Sequence, residues 1–580
     1  MAIWLDDSSF IHAKWKNSCR LNLKARGTEQ SFEVTVLNES NASIQLNDVV
    51  IAGIHAGQWL DSTIWSDGFQ MLCQWTGTLS DPIRVSRCSD NDADYRIYSE
   101  HEARFYNYMI IEQTIGEHYI LLGFTSCERY SSYFQRDGDE LFAVIESAGG
   151  WLEKNQRRDL PKLVYLEGKL AEVQQTFADL IVAEVGASRQ SKPIQGWCSW
   201  YHYYQHITEQ AIQDNTAALR GELAAFDTIL IDDGYQAAMG DWLIPSNRFG
   251  HGIDQVMEDI QRQGKKTAIW MAPFIAEKNA QIVRDHPDWF IRTDDDRFVA
   301  ASDVTYGGWR STPWYLLDTS IDEACQHLEQ TVRYMKQRWN ISLFKLDAIY
   351  WGCLKVAHQQ PMTAVEAYRK GLAAIKRGAG DAMLLGCNAP MWPSLGLIDC
   401  MRTSDDVHRE LGRFKQLHLE NAGRSWQNGT LWQVDPDCIT LQDLNTEHHQ
   451  QAASFADYQF HASSVLATAG NILLGDSVLA LNKVSRERLA RMLNRYKSSS
   501  ASAKFKDLSF EQASLQLNAT TWLYFVFDLS EIAQRTVCLK HHCEADWFDF
   551  WSGVALANNR PMFTIDIEAN TAKVLCVKAC

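Results

Sequence analysis

The sequence predicts an α/β protein in which a central (β/α)8 TIM barrel lies between an N-terminal antiparallel β-sandwich domain and a small C-terminal antiparallel β domain. The chain of 580 residues is too long for one hydrophobic core, because such cores stop growing near roughly 250 to 300 residues. From residue 192 to about residue 480, short apolar strands alternate with amphipathic helical segments, which is typical of parallel β/α units. Alternating apolar and polar residues on both flanks indicate antiparallel strands.

Eight apolar segments in the central region are predicted to be the strands of the barrel. Eight units over about 290 residues fit a closed barrel better than an open sheet. The segments are residues 194–200, 228–232, 266–272, 343–347, 383–387, 397–403, 431–434 and 471–474. Between the third and fourth segments, Ser320 and Glu323 form an S-x-x-E capping box, which predicts the start of a helix.

The flanking regions have strand periodicity and few helical patterns. Phe32, Val34 and Val36 alternate with polar residues, and similar segments continue to about residue 150. Residues 167–187 have helical spacing and bridge to the barrel. Beyond a predicted linker at 498–503, further strands are predicted at 521–528, 535–539 and 572–577. The predicted domains are residues 1–188, 189–497 and 498–580.

Charge and composition exclude several classes of protein. The net charge of −17 repels phosphate backbones, and no cluster of Lys or Arg offsets it, so nucleic acid is not an expected partner. No apolar run approaches the roughly 20 residues of a membrane span, and residues 1–10 lack the pattern of a secretory signal. We therefore expect a cytoplasmic protein without a membrane partner, whose 14 cysteines are mostly reduced thiols.

One dense group of potential metal ligands consists of Cys538, His541, His542 and Cys543. It lies in a segment with strand periodicity, where neighbouring side chains point to opposite faces of a sheet. Since the ligands of a metal ion must converge on one point, we expect no metal site in this segment.

Acidic residues and tryptophans follow the predicted strands at the end where a β/α barrel places its reacting groups. A single Asp at such a position is about as often the N-cap of the next helix, but caps alone do not explain the whole group. Side chains two apart on a strand share a face, so Lys345 and Asp347 point the same way, as do Arg402 and Asp406 if the strand continues. The group comprises Trp197, Trp200, Asp232, Asp233, Trp270, Lys345, Asp347, Arg402, Asp405, Asp406, Asp435, Asp437 and Asp476.

The two carboxylates after the fourth and sixth strands suit the cleavage of a glycosidic bond. That reaction needs one carboxyl group to attack or to activate water at the anomeric carbon, and another to protonate the leaving oxygen. Lys345 and Arg402 would keep neighbouring carboxylates ionised and would bind sugar hydroxyls. A carboxyl group shielded by a tryptophan would have a raised pKa, as an acid catalyst requires.

Six short motifs resemble those of the α-galactosidases of glycoside hydrolase families 36 and 27. Their order and spacing match across roughly residues 190 to 480, and the flanking β regions are similar to those of family 36. Each motif alone is a weak signal, but six in order at predicted barrel positions are specific. The motifs are Gly196-Trp-Cys-Ser-Trp200, Ile231-Asp-Asp-Gly-Tyr235, Gly240-Asp-Trp242, His286-Pro-Asp-Trp289, Lys345-Leu-Asp347 and Arg402-Thr-Ser-Asp-Asp406.

The resemblance implies a retaining α-galactosidase, or melibiase, that forms a covalent glycosyl-enzyme intermediate. Asp347 would be the nucleophile and Asp406 the acid/base, with Asp405 as an alternative that strand parity disfavours. No cofactor and no metal are implied. The implied ligand is an oligosaccharide or other glycoside, and the resemblance is compatible with a homo-oligomer. The implied substrate-binding residues are Trp200, Asp232, Asp233, Asp241, Trp242, Trp270, Lys345, Cys387 and Arg402.

Three departures from the family pattern leave the identity of the sugar open at its 2-position. Tyr235 replaces a usual Trp in the pocket wall, and Ala348 replaces an Asn after the nucleophile motif. A Gly-rich Cys-Ser-Gly-Gly segment is replaced by Gly386-Cys-Asn-Ala-Pro390. The last two segments contact the 2-position in relatives.

Three alternative functions are considered. The first keeps the chemistry and changes the sugar or the acceptor, as in an α-N-acetylgalactosaminidase, an α-glucosidase or a transglycosylase resembling raffinose synthases. The second is a metal-dependent barrel hydrolase, which is disfavoured because the strand ends carry no pair of histidines. The third is a non-catalytic sugar-binding protein, which would retain Asp347 and Asp406 without using them. His448 and His449, at the start of a helix-like segment, are interpreted as solvated.

Overall fold

The computed structural model describes residues 3–4, 21–28, 31–46, 48–99, 101–147, 150–186, 192–468, 470–530 and 534–579. Apart from Ile3–Trp4, residues 1–10 lie outside this part, and so do residues 187–191 at the first predicted domain limit. Across the described ranges, no helix is both long and apolar enough to cross a bilayer.

The N-terminal part is an antiparallel sheet with a separate two-stranded pair. Its strands are β1 Ile3–Trp4, β2 Leu21–Thr28, β3 Ser31–Asn38, β4 Ile44–Gln45, β5 Val49–His55, β6 Ile64–Asp67, β7 Gln74–Gly77, β8 Pro82–Arg84, β9 Phe105–Thr114, β10 His118–Phe124, β11 Ser131–Asp137, β12 Glu140–Glu146, β13 Trp151–Leu152, β14 Arg157–Asp159 and β15 Leu163–Gly168. The main order is β1-β5-β12-β11-β9-β10-β15-β3-β14, and β4 pairs with β13. Side chains of β9 alternate between two cores: Phe105 packs inside the N-terminal part, whereas Tyr106 packs in the core shared with the barrel.

Eight parallel strands form the near-closed barrel. They are β16 Gln195–Cys198, β17 Thr228–Ile231, β18 Lys266–Met271, β21 Ile341–Leu346, β22 Met383–Gly386, β23 Cys400–Arg402, β24 Gln433–Asp435 and β27 Ile472–Leu474, and the loops between them hold two small hairpins, β19 Ile275–Glu277 with β20 Trp314–Leu316 and β25 Leu444–Asn445 with β26 Gln450–Gln451. The strand order is β24-β23-β22-β21-β18-β17-β16-β27. Beside β24, the Ile439 amide donates to the Leu473 carbonyl at 2.7 Å, which joins the two ends of the ring. The eight predicted strands and the fold class are confirmed.

Helices connect most of the barrel strands. They are α1 Leu170–Val185, α2 Trp200–Tyr203, α3 Glu209–Ala218, α4 Ile253–Arg262, α5 Gln281–Asp285, α6 Ala301–Val304, α7 Asp322–Trp339, α8 Ala364–Ala379, α9 Leu411–Arg424, α10 Phe455–Thr468 and α11 Lys483–Ser498. The predicted capping box at Ser320 is wrong, because α7 begins at Asp322 and its N-cap position is Ile321, which has no side-chain cap. A capping box does precede α8, where the Glu366 amide donates to Thr363 Oγ1 at 3.2 Å.

The C-terminal part is an antiparallel sheet with its own small core. Its strands are β28 Lys504–Phe505, β29 Gln512–Asn518, β30 Thr521–Phe527, β31 Gln534–Asp549, β32 Ala555–Glu568 and β33 Ala572–Ala579, in the order β28-β29-β30-β33-β31-β32. Trp547 is fully buried and packs with Val537 and Leu575 in this core. β31 extends well beyond the strand that the sequence pattern predicts at 535–539, and β32 does not correspond to a predicted strand.

Candidate active site

A cavity of about 490 Å³ opens at the C-terminal ends of the barrel strands. This is the end at which β/α barrels carry their functional residues, since the loops that follow the strands converge there. Eight of the sequence-predicted site residues line it: Trp200, Asp232, Asp233, Trp270, Lys345, Asp347, Cys387 and Asp406. The structure therefore brings together residues from six different strand ends and the loops after them.

Asp347 directly follows β21, and both of its carboxylate oxygens accept hydrogen bonds. Trp270 Nε1 donates to Oδ2 at 3.0 Å, and the Ala348 amide donates to Oδ1 at 2.7 Å. Ala348 has a φ of +52°, so the chain turns sharply after the carboxylate. These contacts hold the side chain in one orientation toward the cavity.

Lys345 and Asp232 form a buried ion pair beneath Asp347. Lys345 Nζ lies 2.8 Å from Asp232 Oδ2, and both side chains are almost fully inaccessible to solvent. Burial opposes the charge on Lys345, but Asp232 and neighbouring acidic groups outweigh it and hold the pKa of Lys345 well above its usual range. The pair places a cation and a carboxylate at the base of the cavity.

Asp233 is held by residues that the sequence analysis did not identify. Its carboxylate accepts from Trp309 Nε1 at 2.9 Å and from Gln236 Nε2 at 2.8 Å, and Arg310 Nη2 lies 3.3 Å away. Burial raises the pKa of Asp233, against the opposing effect of Arg310. Trp309 and Arg310 belong to the loop between α6 and β20 and directly follow Gly307 and Gly308, which both have positive φ. The Gly-Gly dipeptide is the sequence signal that could have indicated a functional loop at this position.

Asp405 and Asp406 both line the cavity, but their surroundings differ. The Asp405 side chain is 2% exposed, and its carboxylate accepts from Arg87 at 3.1 and 3.2 Å and from Arg413. The Asp406 side chain is 62% exposed, and its Oδ1 accepts from Arg402 Nη2 and Tyr201 Oη. Asp406 is therefore the carboxylate that is accessible to a molecule in the cavity.

The low pKa of Asp406 agrees with the expectation that Arg402 keeps a neighbouring carboxylate ionised, and the raised pKa expected of a carboxyl group shielded by tryptophan does not apply to it. Partial loss of water around the carboxylate inside the cavity would raise the pKa, but the guanidinium of Arg402 at 2.8 Å and the neighbouring Lys345 and Tyr201 lower it to about 2. Arg402 itself does not line the cavity, because it lies behind Asp406 and also pairs with Asp437 at 3.0 Å.

Two other predicted substrate-binding residues also lie outside the cavity wall. Both carboxylate oxygens of Asp241 accept from the Gln281 amide at 2.9 Å, so Asp241 caps the start of α5. Trp242 is buried and packs edge-on against Trp270, with 6.0 Å between ring centroids. Asp241 thus binds the first turn of α5, whose N-cap position is Ala280, and Trp242 supports the cavity wall.

The N-terminal part and the loops after five barrel strands complete the cavity. The additional lining residues are Met71, Leu72, Arg87, Cys88, Asp94, Tyr95, Tyr204, Gln205, Tyr306, Trp309, Asn388, Asp405 and His449. The interpretation of His449 as a solvated residue at a helix start is wrong, because α10 begins at Phe455 and the His449 ring packs against Tyr204 with 3.9 Å between centroids. No local pattern links residues near position 90 to a barrel that begins a hundred residues later, so the sequence analysis could not place them.

The cavity holds no cluster suited to a metal ion. Over the described ranges, the group of His, Cys, Asp or Glu side chains with metal-like spacing is His541, His542 and Cys543, in the C-terminal sheet. Fold and site together define a multidomain (β/α)8-barrel protein with a cavity lined by carboxylates and tryptophans.

Within that class, the chain is similar to known proteins in sequence. The Melibiase family model matches residues 160–365. The bifunctional α-galactosidase/sucrose kinase AgaSK from Mediterraneibacter gnavus is 27% identical over 161 residues, which cover 25% of this chain and 16% of that protein. The α-galactosidase AgaA from Geobacillus stearothermophilus is 23% identical over 196 residues, which cover 32% of this chain and 25% of that protein. The chain thus matches a quarter or less of the length of these relatives.

Solved structures show the same fold over almost the whole chain. The α-galactosidase TtGalA from Thermus thermophilus, in complex with p-nitrophenyl α-D-galactopyranoside, has a TM-score of 0.62 at 21% identity, covering 84% of this chain and 95% of that one. The family 36 α-galactosidase AgaA has a TM-score of 0.66 at 13% identity, covering 97% of this chain and 81% of that one. The resemblance to family 36 that the six motifs predicted is confirmed.

Proposed function

We propose that this protein is a retaining glycoside hydrolase that acts on terminal α-galactosides of the melibiose, raffinose or aryl type. The observation that carries the proposal is that Asp347 and Asp406 line one cavity, the first tethered through both oxygens and the second accessible. Two carboxyl groups in one site are the requirement for glycosidic bond cleavage. The likeness to TtGalA, solved with an aryl α-galactoside, supports the choice of sugar.

In the first step of the proposed mechanism, Asp347 attacks the anomeric carbon while Asp406 protonates the leaving oxygen. A covalent glycosyl-enzyme forms on Asp347 as the bond to the leaving group breaks. The hydrogen bonds from Trp270 and Ala348 keep the attacking carboxylate oriented. In the second step, Asp406 accepts a proton from water, which attacks the same carbon and releases the α-sugar.

Asp406 must carry a proton for the first step, although the contact with Arg402 favours its ionised form. We propose that a bound glycoside draws the Asp406 carboxyl group toward its glycosidic oxygen and away from Arg402 Nη2. Loss of this charge-assisted bond would raise the pKa of Asp406 toward the range of a catalytic acid. The buried Asp437 on the other side of Arg402 would continue to hold the guanidinium in place.

The remaining polar side chains suit the hydroxyls of a hexose. Asp232, Asp233 and Lys345 provide charged hydrogen-bonding groups on one side of the cavity. Trp200, Trp270 and other aromatic residues provide flat apolar surface for the C–H face of the ring. Arg310 and Trp309, through Asp233, would orient this part of the site.

The proposal is tested by following p-nitrophenyl α-D-galactopyranoside by proton NMR with wild-type protein and with Asp347→Ala. We expect α-galactose as the first product from the wild type and none from the variant. Asp294→Ala, which removes an exposed carboxylate away from the cavity, is the matched control and should behave as wild type. First formation of β-galactose would refute a retaining mechanism.

The same NMR assay, repeated with other glycosides, distinguishes the alternative substrates. Turnover of the α-N-acetylgalactosaminide or the α-glucoside in place of the galactoside would mean that the segment at Cys387 and Asn388 has changed the specificity at the 2-position. Transfer to an added acceptor sugar in preference to water would indicate a transglycosylase. Binding without turnover of all three glycosides would indicate a non-catalytic sugar-binding protein.

A further inference from the structure

Three potential metal ligands converge in β31 of the C-terminal sheet. A ring nitrogen of His541, a ring nitrogen of His542 and Sγ of Cys543 all lie within 4.8 Å of one another. Strand alternation predicted that these side chains would point apart, and for these three residues that prediction is wrong. Cys538, the fourth residue considered there, is exposed and does not belong to the group.

A bulge in the strand pairing explains the convergence. Lys540 pairs with Met562, and the next paired residue of β31 is Ala545, opposite Arg560. Four residues of β31 therefore stand opposite one residue of β32. A bulge of this kind interrupts the alternation of side chains and redirects them, and bulges are often found next to functional sites.

His541 is buried and oriented in the way that a metal ligand requires. The residue is 6% exposed, its Nδ1 lies 2.9 Å from Tyr524 Oη, and its Nε2 is buried without a hydrogen-bond partner. A metal-binding histidine is usually oriented by a hydrogen bond from its other ring nitrogen to an oxygen acceptor, and the Tyr524 hydroxyl can supply that acceptor here.

We infer that His541, His542 and Cys543 form a binding site for a thiophilic divalent transition-metal ion such as Zn²⁺. Imidazole and thiolate are the ligands that Zn²⁺ prefers, and the group contains no carboxylate that would suit Ca²⁺ or Mg²⁺. A tetrahedral ion needs ligand atoms roughly 3.3 to 3.6 Å apart, which rotation of the exposed His542 and the half-buried Cys543 can reach. Three protein ligands leave the fourth position to water.

Trp522 supplies the outer wall of the site. Its ring centroid lies 4.6 Å from that of His541 and 5.1 Å from that of His542. An aromatic wall limits the access of water and strengthens the metal–ligand interaction. None of the three ligands lines the barrel cavity, so the inference does not rest on the proposed hydrolase activity.

The test is a titration of the metal-stripped full-length protein with Co²⁺, which reports thiolate ligation as a near-ultraviolet charge-transfer band. We expect one equivalent to bind with this band and to be displaced by Zn²⁺. Cys543→Ser should abolish the band and weaken binding at least about 100-fold, more than a change outside the ligand set. His542→Ala, at an exposed position, should also weaken binding strongly, and Tyr524→Phe should weaken it about 10- to 100-fold.

Two control variants separate this site from other metal ligands. Cys538→Ser removes an exposed thiol from the same strand, and His448→Ala removes half of the stacked pair His206–His448, whose centroids are 3.7 Å apart. Both controls should retain the charge-transfer band and the affinity. Absence of the band at saturating Co²⁺, its persistence in Cys543→Ser, or its loss in Cys538→Ser would each overturn the inference.

Discussion

Asp406, which accepts a hydrogen bond from Arg402, is the residue whose substitution we expect to reduce turnover in a substrate-dependent way. Asp406→Asn would remove the proposed proton donor, so we expect turnover of melibiose-type substrates, which have a poor leaving group, to fall about 100- to 10,000-fold. Nitrophenyl galactoside should be affected less in its first step, because nitrophenolate leaves without protonation. The measurement is steady-state kinetics on both substrates.

Azide separates the roles of the two carboxylates. In Asp406→Asn, azide should restore turnover and give α-galactosyl azide, since it attacks the intermediate without needing a base. In Asp347→Ala, azide should replace the nucleophile and give the β-azide. If Asp405→Asn gave the α-azide and Asp406→Asn did not, the acid/base would be Asp405.

Glu420 makes the stability of the protein depend on pH. Burial, followed by the charge of Asp405, raises its pKa from 4.5 to about 7. Between these values the unfolded chain ionises and the folded protein does not, so stability falls as pH rises through this window and is constant above it. The shift corresponds to about 3 kcal/mol.

We therefore expect Glu420→Gln to remove this fall in stability. Urea unfolding at about pH 5 and about pH 8 would show a smaller difference in unfolding free energy for the variant than for the wild type. The Glu420 carboxylate accepts the Asp405 amide at 2.7 Å, and the amide oxygen of Gln can keep this bond. An equal pH dependence in both proteins would contradict the assignment.

Lys345 and Lys266 lie on neighbouring barrel strands, and each forms an ion pair with an aspartate, so that their substitutions can be compared. Lys345→Met leaves Asp232 buried without its cation, which should lower the unfolding free energy by about 3 to 5 kcal/mol. Lys266 pairs with Asp227 at the surface, where both side chains are about half exposed, so Lys266→Met should cost no more than about 1 kcal/mol. Denaturant unfolding of the two variants compares them directly, and similar losses would contradict the buried pair.

At the scale of elements, the loop between β8 and β9 connects the N-terminal part to the cavity. Arg87 in this loop binds Asp405 through two nitrogens and so orients the residue that precedes Asp406. Because Arg87 is 57% exposed, we expect Arg87→Ala to reduce kcat/KM about tenfold while the melting temperature changes little.

Arg84 supplies the control for this loop. It pairs with Asp92 at 2.8 Å near the surface and does not line the cavity. Arg84→Ala should therefore leave kcat/KM unchanged. Equal kinetic effects of the two substitutions would show that the loop acts only through its general stability.

At the scale of the whole molecule, Asp67 of β6 and Arg424 of α9 join the N-terminal part to the barrel. Both side chains are completely buried, and Arg424 also donates to the Thr403 carbonyl at 3.0 Å. Asp67→Ala leaves the guanidinium buried without its anion and should lower the unfolding free energy by about 3 to 5 kcal/mol. Glu487→Ala, which breaks an exposed pair with Lys483, is the control and should have almost no effect.

The sequence by itself determined the barrel, its flanking sheets and most of the cavity floor. Apolar strands alternating with amphipathic helices are a local signal, and strand ends in a parallel barrel necessarily meet at one mouth. For this reason Asp232, Lys345, Asp347 and Asp406 could be placed together before any contact was known. The domain limits at 188 and 497, and the catalytic roles, stay predictions.

Only the tertiary structure decided which side chains touch across elements that are distant in the chain. Arg87 reaches the cavity from the N-terminal part, Arg402 sets the charge of Asp406, and a β-bulge brings His541 next to Cys543. The pattern of residues along a strand reports its periodicity. It contains no information about a partner strand that skips residues or a loop that folds over from another sheet, because those depend on packing between segments.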